Sequence, residues 1–201
     1  IKTPIAAMRL LLQTNEVDNN EDIAMELFKI EQYVEMVLQY VRLGSDTSDY
    51  LLKKYELEDI VKQGIRKYAK LFIKKKISLE FSPISCQVIT DEKWLLFVIE
   101  QILFNALKYT NEGKISIYLE RESVLVIEDT GIGIQSEDLP RVFEKGFTGY
   151  NGRNDKKSTG LGLYLCKRIL TKLSHEINIE SQVGKGTKVM IGLNQEHRIF
   201  E

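Results

Sequence analysis

The chain is poor in the residues that mark several classes of protein. Its 201 residues include two cysteines and three prolines. Two cysteines cannot form a disulfide framework, which favours a reducing compartment. Lysine and arginine total 28 against 29 for aspartate and glutamate, so the charge gives no support to nucleic-acid binding and we expect no such partner. No apolar run in the sequence is long enough to span a bilayer.

What is present is the composition of a chain that can bury a core, with 43% hydrophobic and 9% aromatic residues. The residue pattern changes near residue 44. We therefore expect a helical hairpin over residues 1–43, a small polar linker over 44–50 and a domain over 51–201. In that domain helical patterns alternate with paired strand patterns, which predicts an α+β fold with a mixed, mostly antiparallel sheet.

The second arm of the hairpin carries a narrow apolar seam. Its residues recur at spacings of four and three: Ile23, Leu27, Ile30, Val34, Val37 and Val41. Such a heptad-like seam is typical of helices that pair along their length. Two short helices bury little alone, so we predict a homodimer in which two antiparallel hairpins form a four-helix bundle. The alternative is that the hairpin packs on the rest of its own chain.

Periodicity in the domain predicts its main elements. Helices are expected over 57–72, 94–109 and 159–173, and strands near 77–81, 115–119, 124–129, 177–179 and 189–193. The run Lys74 to Lys76 is interpreted as the solvated end of a helix. Cys86 suits a strand interior and Cys166 a buried helix face, and the two histidines, His175 and His197, are expected to be structural or on the surface.

The segment VIEDTGIGI (Val126–Ile134) places a carboxylate at the end of a buried strand, before two glycines. Glycines there let a ligand approach the backbone, and Asp129 can accept a hydrogen bond from an exocyclic amine. The alternative is a plain turn capped by aspartate.

A second glycine segment is KKSTGLGLYLCKRI (Lys156–Ile169). Ser158 or Thr159 can cap the helix, with Gly160 and Gly162 in its first turn. Free amides and the helix dipole make such an end suited to anions, although the glycines could equally serve tight helix packing. The spacing fits neither a Walker loop nor a dinucleotide fingerprint.

A third segment, EQILFNALKYTNEG (Glu100–Gly113), places polar side chains on one side of an apolar helix. Gln101, Asn105, Lys108 and Tyr109 share that side. One amide oxygen can serve Mg²⁺ beside phosphate, and Lys108 can meet phosphate as a point charge. The alternative is a polar side that meets solvent.

Taken in order, five segments resemble the conserved boxes of one family. Residues 51–193 resemble the ATP-binding domain of sensor histidine kinases, the Bergerat fold shared with gyrase, MutL and the heat-shock chaperone ATPases. The matching segments are NALKYT (Asn105–Thr110), DTGIG (Asp129–Gly133), VFEKGFTG (Val142–Gly149), TGLGL (Thr159–Leu163) and VGKGT (Val183–Thr187).

The resemblance implies ATP and Mg²⁺ as ligands and assigns roles to residues. Asp129 would bind the adenine amine, Asn105 would ligate Mg²⁺, and Lys108 would contact phosphate as the catalytic cation. Residues 146–158 would form a lid. The implied nucleotide-binding set is Asn105, Lys108, Tyr109, Asp129, Gly131, Gly133, Ile134, Gly160, Leu161, Gly162, Leu163 and Thr187, and the lid cations are Arg153, Lys156 and Lys157. One departure is Gln101, where the family carries asparagine.

The opening IKTP (Ile1–Pro4) resembles the tail of the family's H box. The phosphoaccepting histidine is then expected two residues before Ile1, and Thr3 would occupy a place associated with phosphatase activity. The implied protein is the cytoplasmic catalytic core of a membrane-anchored kinase that passes phosphate to a response regulator receiver domain. The stretch 143–153 further resembles intramembrane-sensing kinases that work with an ABC transporter.

Two alternatives remain open from the sequence. One is an ATPase of the gyrase or MutL kind, which would need a glutamate base where Gln101 stands. The other is a dimerising scaffold that binds nucleotide without turnover.

Overall fold

The computed structural model describes residues 19–44, 50–149 and 159–194. The chain divides into two compact units, Ile1–Ser48 and Asp49–Glu201. In the first unit the described element is helix α1 (Asn19–Gly44), which is the predicted second arm of the hairpin. The predicted first arm, Thr3 and His197 lie outside the described residues. Over the described ranges, no helix has both the length and the apolar composition needed to cross a membrane.

Helix α1 has two distinct stripes along its surface. Gln32, Met36, Gln39 and Leu43 are buried and recur at spacings of four, three and four. The apolar side chains Leu27, Val34, Val37, Leu38 and Val41 are instead exposed. Most of the predicted seam therefore remains on the surface of the single chain.

The second unit contains three long helices and seven strands within its described residues. In chain order they are β1 (Lys53–Glu56), α2 (Leu57–Lys75), β2 (Ser78–Phe81), β3 (Gln87–Thr90), α3 (Glu92–Tyr109), β4 (Lys114–Glu120), β5 (Val124–Asp129), a 3₁₀ turn (Leu139–Arg141), α4 (Gly162–Lys172), β6 (Glu176–Gln182) and β7 (Gly186–Gly192). Five strands form one sheet in the order β2-β4-β5-β7-β6. Only the β2–β4 pair among these is parallel. The predicted α+β fold with a mixed, mostly antiparallel sheet is confirmed.

A second, two-stranded sheet is formed by β1 and β3, for which the sequence predicted no bounds. They pair antiparallel, with Lys53 opposite Thr90. Strand β1 is only four residues long and reads KKYE, which lacks the apolar alternation that would indicate a strand. Cys86 is buried but directly precedes β3, so its predicted place inside a strand is wrong by one residue.

Helix α3 lies at the centre of this unit, where it packs against α2, α4 and strand β5. Its side chains Leu95, Ile99 and Leu103 are completely buried. The helix begins two residues earlier than predicted because Asp91 caps it. The Asp91 carboxylate accepts hydrogen bonds from the backbone N–H groups of Lys93 at 3.0 Å and Trp94 at 3.2 Å.

Helix α4 begins later than predicted, at Gly162 rather than Thr159. Gly160 has a φ of +65°, which no helical residue adopts, so it lies before the helix and not in its first turn. The Thr159 hydroxyl accepts a hydrogen bond from the Leu161 N–H at 3.3 Å and does not cap α4. Cys166, inside α4, is completely buried as predicted, and burial raises the pKa of its thiol.

The interpretation of the lysine run as solvated is wrong for its middle residue. Helix α2 does end there, and Lys74 and Lys76 are exposed. The Lys75 ammonium, however, donates hydrogen bonds to the carbonyl oxygens of Leu107 and Thr110 at the end of α3.

His175 is buried, which agrees with the prediction that it is structural or on the surface. Its Nδ1 accepts a hydrogen bond from the Asn194 N–H.

Substituting Lys76 by glycine should stabilise the domain. Lys76 caps α2 in the left-handed region, with φ 54° and ψ 34°, where a Cβ is unfavourable. We expect Lys76→Gly to raise the free energy of unfolding by about 0.5–1 kcal/mol. Chemical denaturation would measure this change.

Lys74→Gly is the matched control, because that exposed residue lies inside the last turn of α2 and has helical geometry. It should lower the free energy of unfolding by about 0.5–1 kcal/mol. A loss of stability in both variants would contradict the assignment of strain to Lys76.

Candidate functional site

A buried carboxyl group lies at the end of the central strand β5. Asp129 pairs with Ile115 of β4 on one side and with Thr187 of β7 on the other. It is only 7% exposed. Burial raises the pKa of this carboxyl group to about 6, although the backbone N–H groups of Gly131 and Thr187 act in the opposite direction. An acid held in this way is suited to a specific polar ligand.

The glycine after this strand makes close backbone contacts that no larger residue allows. A Cβ on Gly131 would lie 2.4 Å from the Tyr109 carbonyl oxygen and 2.9 Å from the Thr110 hydroxyl. The Gly131 N–H also donates to Asp129 Oδ1 at 2.8 Å. The next residue, Ile132, donates its N–H to the Tyr109 carbonyl at 3.1 Å. The loop of residues 130–134, called the glycine loop below, is therefore hydrogen-bonded to the C-terminal end of α3.

The last glycine segment is bonded to the same loop. Ser181 of β6 accepts the Ile134 N–H at 2.9 Å, and its hydroxyl lies 2.9 Å from that of Thr187. The Gly184 N–H donates to the Ile132 carbonyl at 2.9 Å. Gly133 lies against the end of β6, where a Cβ would approach the Gln182 carbonyl oxygen to 2.1 Å. The structure thus brings the predicted residues Gly133, Ile134 and Thr187 close to Asp129.

The polar side of α3 connects the two glycine sites. Gln101, Asn105 and Tyr109 are four residues apart, and each step along a helix of this kind covers about 6 Å. At one end a Cβ on Gly162 would lie 3.2 Å from Gln101 Oε1, and at the other Tyr109 touches Gly131. Asn105 therefore lies between them, and its half-buried amide makes no hydrogen bond within the described part of the chain.

Lys108 and Tyr109 lie beside this amide on the last turn of α3, and both are half-buried. The Lys108 ammonium lies 5.0 Å from the centroid of the Tyr109 ring, a cation–π distance. This contact holds a positive charge on the side of α3 that carries Asn105.

Within the described residues, no side chain caps the N-terminus of α4. Its N-cap, Leu161, makes no side-chain capping bond, and the first turn contains no acidic residue. The first N–H groups of a helix have no partners within it, so those near Gly162 and Leu163 can meet an anion. Gly160 precedes them, and its carbonyl accepts the Gly146 N–H at 2.9 Å.

The lid cations and the segment Val142–Gly149 are the remaining parts of the predicted site. Arg153, Lys156 and Lys157 fall outside the described residues, so the lid stays a prediction. Phe143 and Phe147 are half-buried, and each faces a cation: Lys167 at 5.1 Å from the first ring and Arg141 at 4.6 Å from the second. These contacts indicate that both rings serve packing.

Thr110 and Ser181 had no expected role from the sequence. The Thr110 side chain is completely buried beside Asp129 and helps to lower the pKa of that carboxyl. Its hydroxyl makes no hydrogen bond of good geometry within the described ranges, so it can turn to a ligand. A signal was present for Thr110, because it closes the segment NALKYT, but none marked Ser181.

The donor set fits a nucleotide with its metal. Within the described residues no group of three histidine, cysteine, aspartate or glutamate side chains is placed to hold a metal ion. Magnesium often takes only one or two protein oxygens and draws the rest from phosphate and water. The Asn105 amide oxygen, the Lys108 ammonium and the α4 amides fit that pattern, and the Thr110 hydroxyl and Asp129 fit a polar base.

Comparison with known families agrees with this geometry. The profile of the "Histidine kinase-, DNA gyrase B-, and HSP90-like ATPase" family matches residues 90–197, which include α3 and all the glycine segments. The chain belongs to this ATPase family.

Similar proteins are named sensor histidine kinases or sensor proteins. This chain is 34% identical over 195 residues to the sensor histidine kinase YxdK of Bacillus subtilis. It is 35% identical over 206 residues to the sensor histidine kinase GraS of Staphylococcus epidermidis. It is 33% identical over 206 residues to the sensor protein BceS of Halalkalibacterium halodurans. These matches cover 94%, 100% and 98% of this chain, but only 60% of each relative.

Solved structures show the same fold. The Acinetobacter baumannii histidine kinase AdeS matches with a TM-score of 0.67 at 21% identity, covering 96% of each chain. Full-length ShkA in complex with AMPPNP matches with a TM-score of 0.66 at 18% identity, covering 92% of this chain and 42% of that one. At these identities the likeness concerns the fold alone.

The raised pKa of Asp129 predicts a pH dependence of adenosine binding. An amine donates to a carboxylate but not to the protonated oxygen, so affinity should fall as the pH drops through about 6. Adenosine is the probe because its own groups do not titrate there. Its affinity, followed by the amide signal of Gly131 in NMR titrations, should be constant above about pH 7.

The pH dependence of folding stability at Asp129 has the opposite sign to that of adenosine binding: lowering the pH favours the folded state. Because the folded-state pKa lies above the ordinary value of 3.8 for an aspartate carboxyl, the contribution of Asp129 to stability is present below pH 3.8 and is lost as the pH rises through about 6. Asp129→Asn is the control, and its weaker adenosine binding should not change between pH 5 and 7. A wild-type affinity for adenosine that does not change between pH 5 and 7 would contradict the role of the carboxylate.

Proposed function

We propose that this chain is the catalytic core of a sensor histidine kinase, which uses Mg-ATP to phosphorylate a histidine and passes the phosphoryl group to an aspartate of a response regulator. The observation that carries the proposal is the position of Asn105. It lies on α3 between the loop beside Asp129 and the first turn of α4, so a base site and an anion site share one helix.

The adenine end of the nucleotide is assigned to the buried carboxyl group. Asp129 would accept a hydrogen bond from the exocyclic amine, and the Thr110 hydroxyl beside it would complete the polar contact. Gly131 and Gly133 bring the loop backbone close to the base. Ser181 and Thr187 keep the neighbouring loop fixed through their 2.9 Å hydroxyl contact. Tyr109 would pack against the nucleotide from α3.

The phosphate end is assigned to Asn105, Lys108 and the start of α4. The Asn105 oxygen would hold Mg²⁺, which when bound neutralises phosphate charge. The Lys108 ammonium would contact a phosphate oxygen. The N–H groups of Gly162 and Leu163 would receive the phosphates at the positive end of the α4 dipole, and Gly160 and Leu161 would line the approach to them. Arg153, Lys156 and Lys157 would approach from the lid.

The kinase assignment, as distinct from nucleotide binding, is supported by two further observations. The relatives at 33–35% identity are named sensor histidine kinases or sensor proteins, and their matches extend to the region before the ATPase domain. IKTP also resembles the tail of an H box, which would place the acceptor histidine two residues before Ile1 and give Thr3 its phosphatase role.

The first unit supports a homodimer. Helix α1 exposes Leu27, Val34, Val37, Leu38 and Val41, and a second hairpin packed on them would bury this apolar surface in a four-helix bundle. We further propose that the chain is the cytoplasmic part of a membrane-anchored protein. The resemblance of residues 143–153 to intramembrane-sensing kinases supports an ABC transporter as an additional partner.

An ATPase that hydrolyses ATP with its own general base is disfavoured by Gln101. This residue is 2% exposed and occupies the place, four before Asn105, where such an ATPase carries glutamate. An amide cannot take a proton from water as a carboxylate does. The other alternative, a scaffold without turnover, differs from the kinase in its predicted reaction and not in its fold.

Removing the Asn105 amide should abolish the gain in ATP affinity that Mg²⁺ provides. We expect Asn105→Ala to weaken Mg-ATP binding roughly tenfold while binding of ATP in chelator changes little. Calorimetric titrations with and without Mg²⁺ give the four affinities. Asn178→Ala is the control, because Asn178 is an exposed amide on the edge strand β6. If Mg²⁺ raises the ATP affinity of Asn105→Ala as much as that of Asn178→Ala, Asn105 is not a ligand of the metal.

Autophosphorylation tests the kinase assignment directly. A longer chain that restores the residues before Ile1 should acquire acid-labile phosphate from γ-labelled ATP, while the 201-residue chain should bind ATP without labelling itself. Labelling of the short chain at His175 would be decisive against the proposed acceptor, because that histidine is buried in the fold. A longer chain that only hydrolyses ATP would favour the ATPase alternative.

A further inference from the structure

Lys75, at the C-terminal end of α2, makes an unusual contact for a residue in a lysine run. Its ammonium donates to the carbonyl oxygen of Leu107 and, at 2.6 Å, to that of Thr110. The side chain is half-buried, and burial lowers the pKa of its ammonium. An ammonium removed from water needs hydrogen-bond partners, and here both come from the end of α3.

The Leu107 carbonyl belongs to the last turn of α3, whose carbonyl groups have no partners within the helix, and the Thr110 carbonyl belongs to the residue that caps its C-terminal end. The Tyr109 carbonyl accepts the Ile132 N–H at 3.1 Å, from the loop that follows Asp129. The end of α3 is thus held from two sides, by an ammonium of α2 and by a backbone amide of the glycine loop. The positive charge of Lys75 also lies at the negative end of the α3 dipole.

Thr110 connects this contact to the nucleotide site. Its carbonyl accepts from Lys75, and its buried hydroxyl lies beside the Asp129 carboxyl. A shift of this residue would move the hydroxyl away from the base site. The same turn carries Lys108 and Tyr109, so the phosphate contact would shift with it.

We infer that Lys75 is a positioning residue for ATP: its ammonium fixes the last turn of α3 and thereby the places of Lys108, Tyr109 and Thr110. The inference rests on the proposed function of the site. Lys75 acts through the backbone of α3 and is assigned no contact with the nucleotide.

The test compares Mg-ATP affinity in three variants of the whole chain. Lys75→Met keeps an unbranched side chain without the ammonium and should raise the dissociation constant about five- to tenfold. Lys75→Arg keeps the charge and should restore most of the affinity. Lys70→Met is the matched control, since it removes an exposed ammonium from the same helix and should change nothing.

A second readout separates positioning from general stabilisation. In the folded Lys75→Met protein the amide NMR signals of Thr110, Gly131 and Ile132 should shift, and in Lys70→Met they should not. A residue with only a structural role would lower the melting temperature without moving these three signals. Should Lys75→Met fail to fold, Lys75→Gln takes its place and must bind Mg-ATP more weakly than Lys75→Arg.

The outcomes distinguish the inference from the proposed function. A wild-type chain that does not bind Mg-ATP would refute the proposed function and the inference with it. A wild type that binds, together with Lys75→Met or Lys75→Gln binding as tightly as Lys70→Met, would overturn the role of Lys75 alone.

Discussion

The burial of α3 is the constraint on which the rest of the domain depends. Leu95, Ile99 and Leu103 have no exposed surface, and the helix packs against α2, α4 and β5 at once. A helix surrounded on so many sides cannot tilt or slide without opening the core. Its one polar side is therefore held in a fixed place. The backbone position of Asn105 is set by this packing, since its amide makes no hydrogen bond within the described residues.

The site also retains a buried acid whose charged form is disfavoured by its surroundings. Asp129 is buried at a strand end, and its raised pKa shows that the environment disfavours the charged form. Two backbone N–H groups offset part of that cost, while the Thr110 hydroxyl beside it lacks a good partner within the described ranges. Polar groups left partly unsatisfied inside a well-packed domain are expected at ligand sites, where the ligand completes them.

The sequence was sufficient for the elements with strong periodicity and insufficient for contacts between distant segments. The apolar run of β5 was predicted with its observed bounds. The start of α4 was misplaced because the positive φ of Gly160 accompanies a contact with Gly146, which no local pattern reveals. The role of Lys75 was missed for the same reason, since its partners lie on another helix.

The contacts at the end of α3 show how one helix terminus can serve both stability and binding. Its carbonyl groups require donors, and the donors come from α2 through Lys75 and from the glycine loop through Ile132. Because the loop residue follows Asp129 closely, the bond that satisfies Tyr109 also fixes the loop beside the carboxyl group. The helix end, the loop and the carboxyl group consequently behave as one unit, and a change in any of them is expected to reach the proposed ATP site.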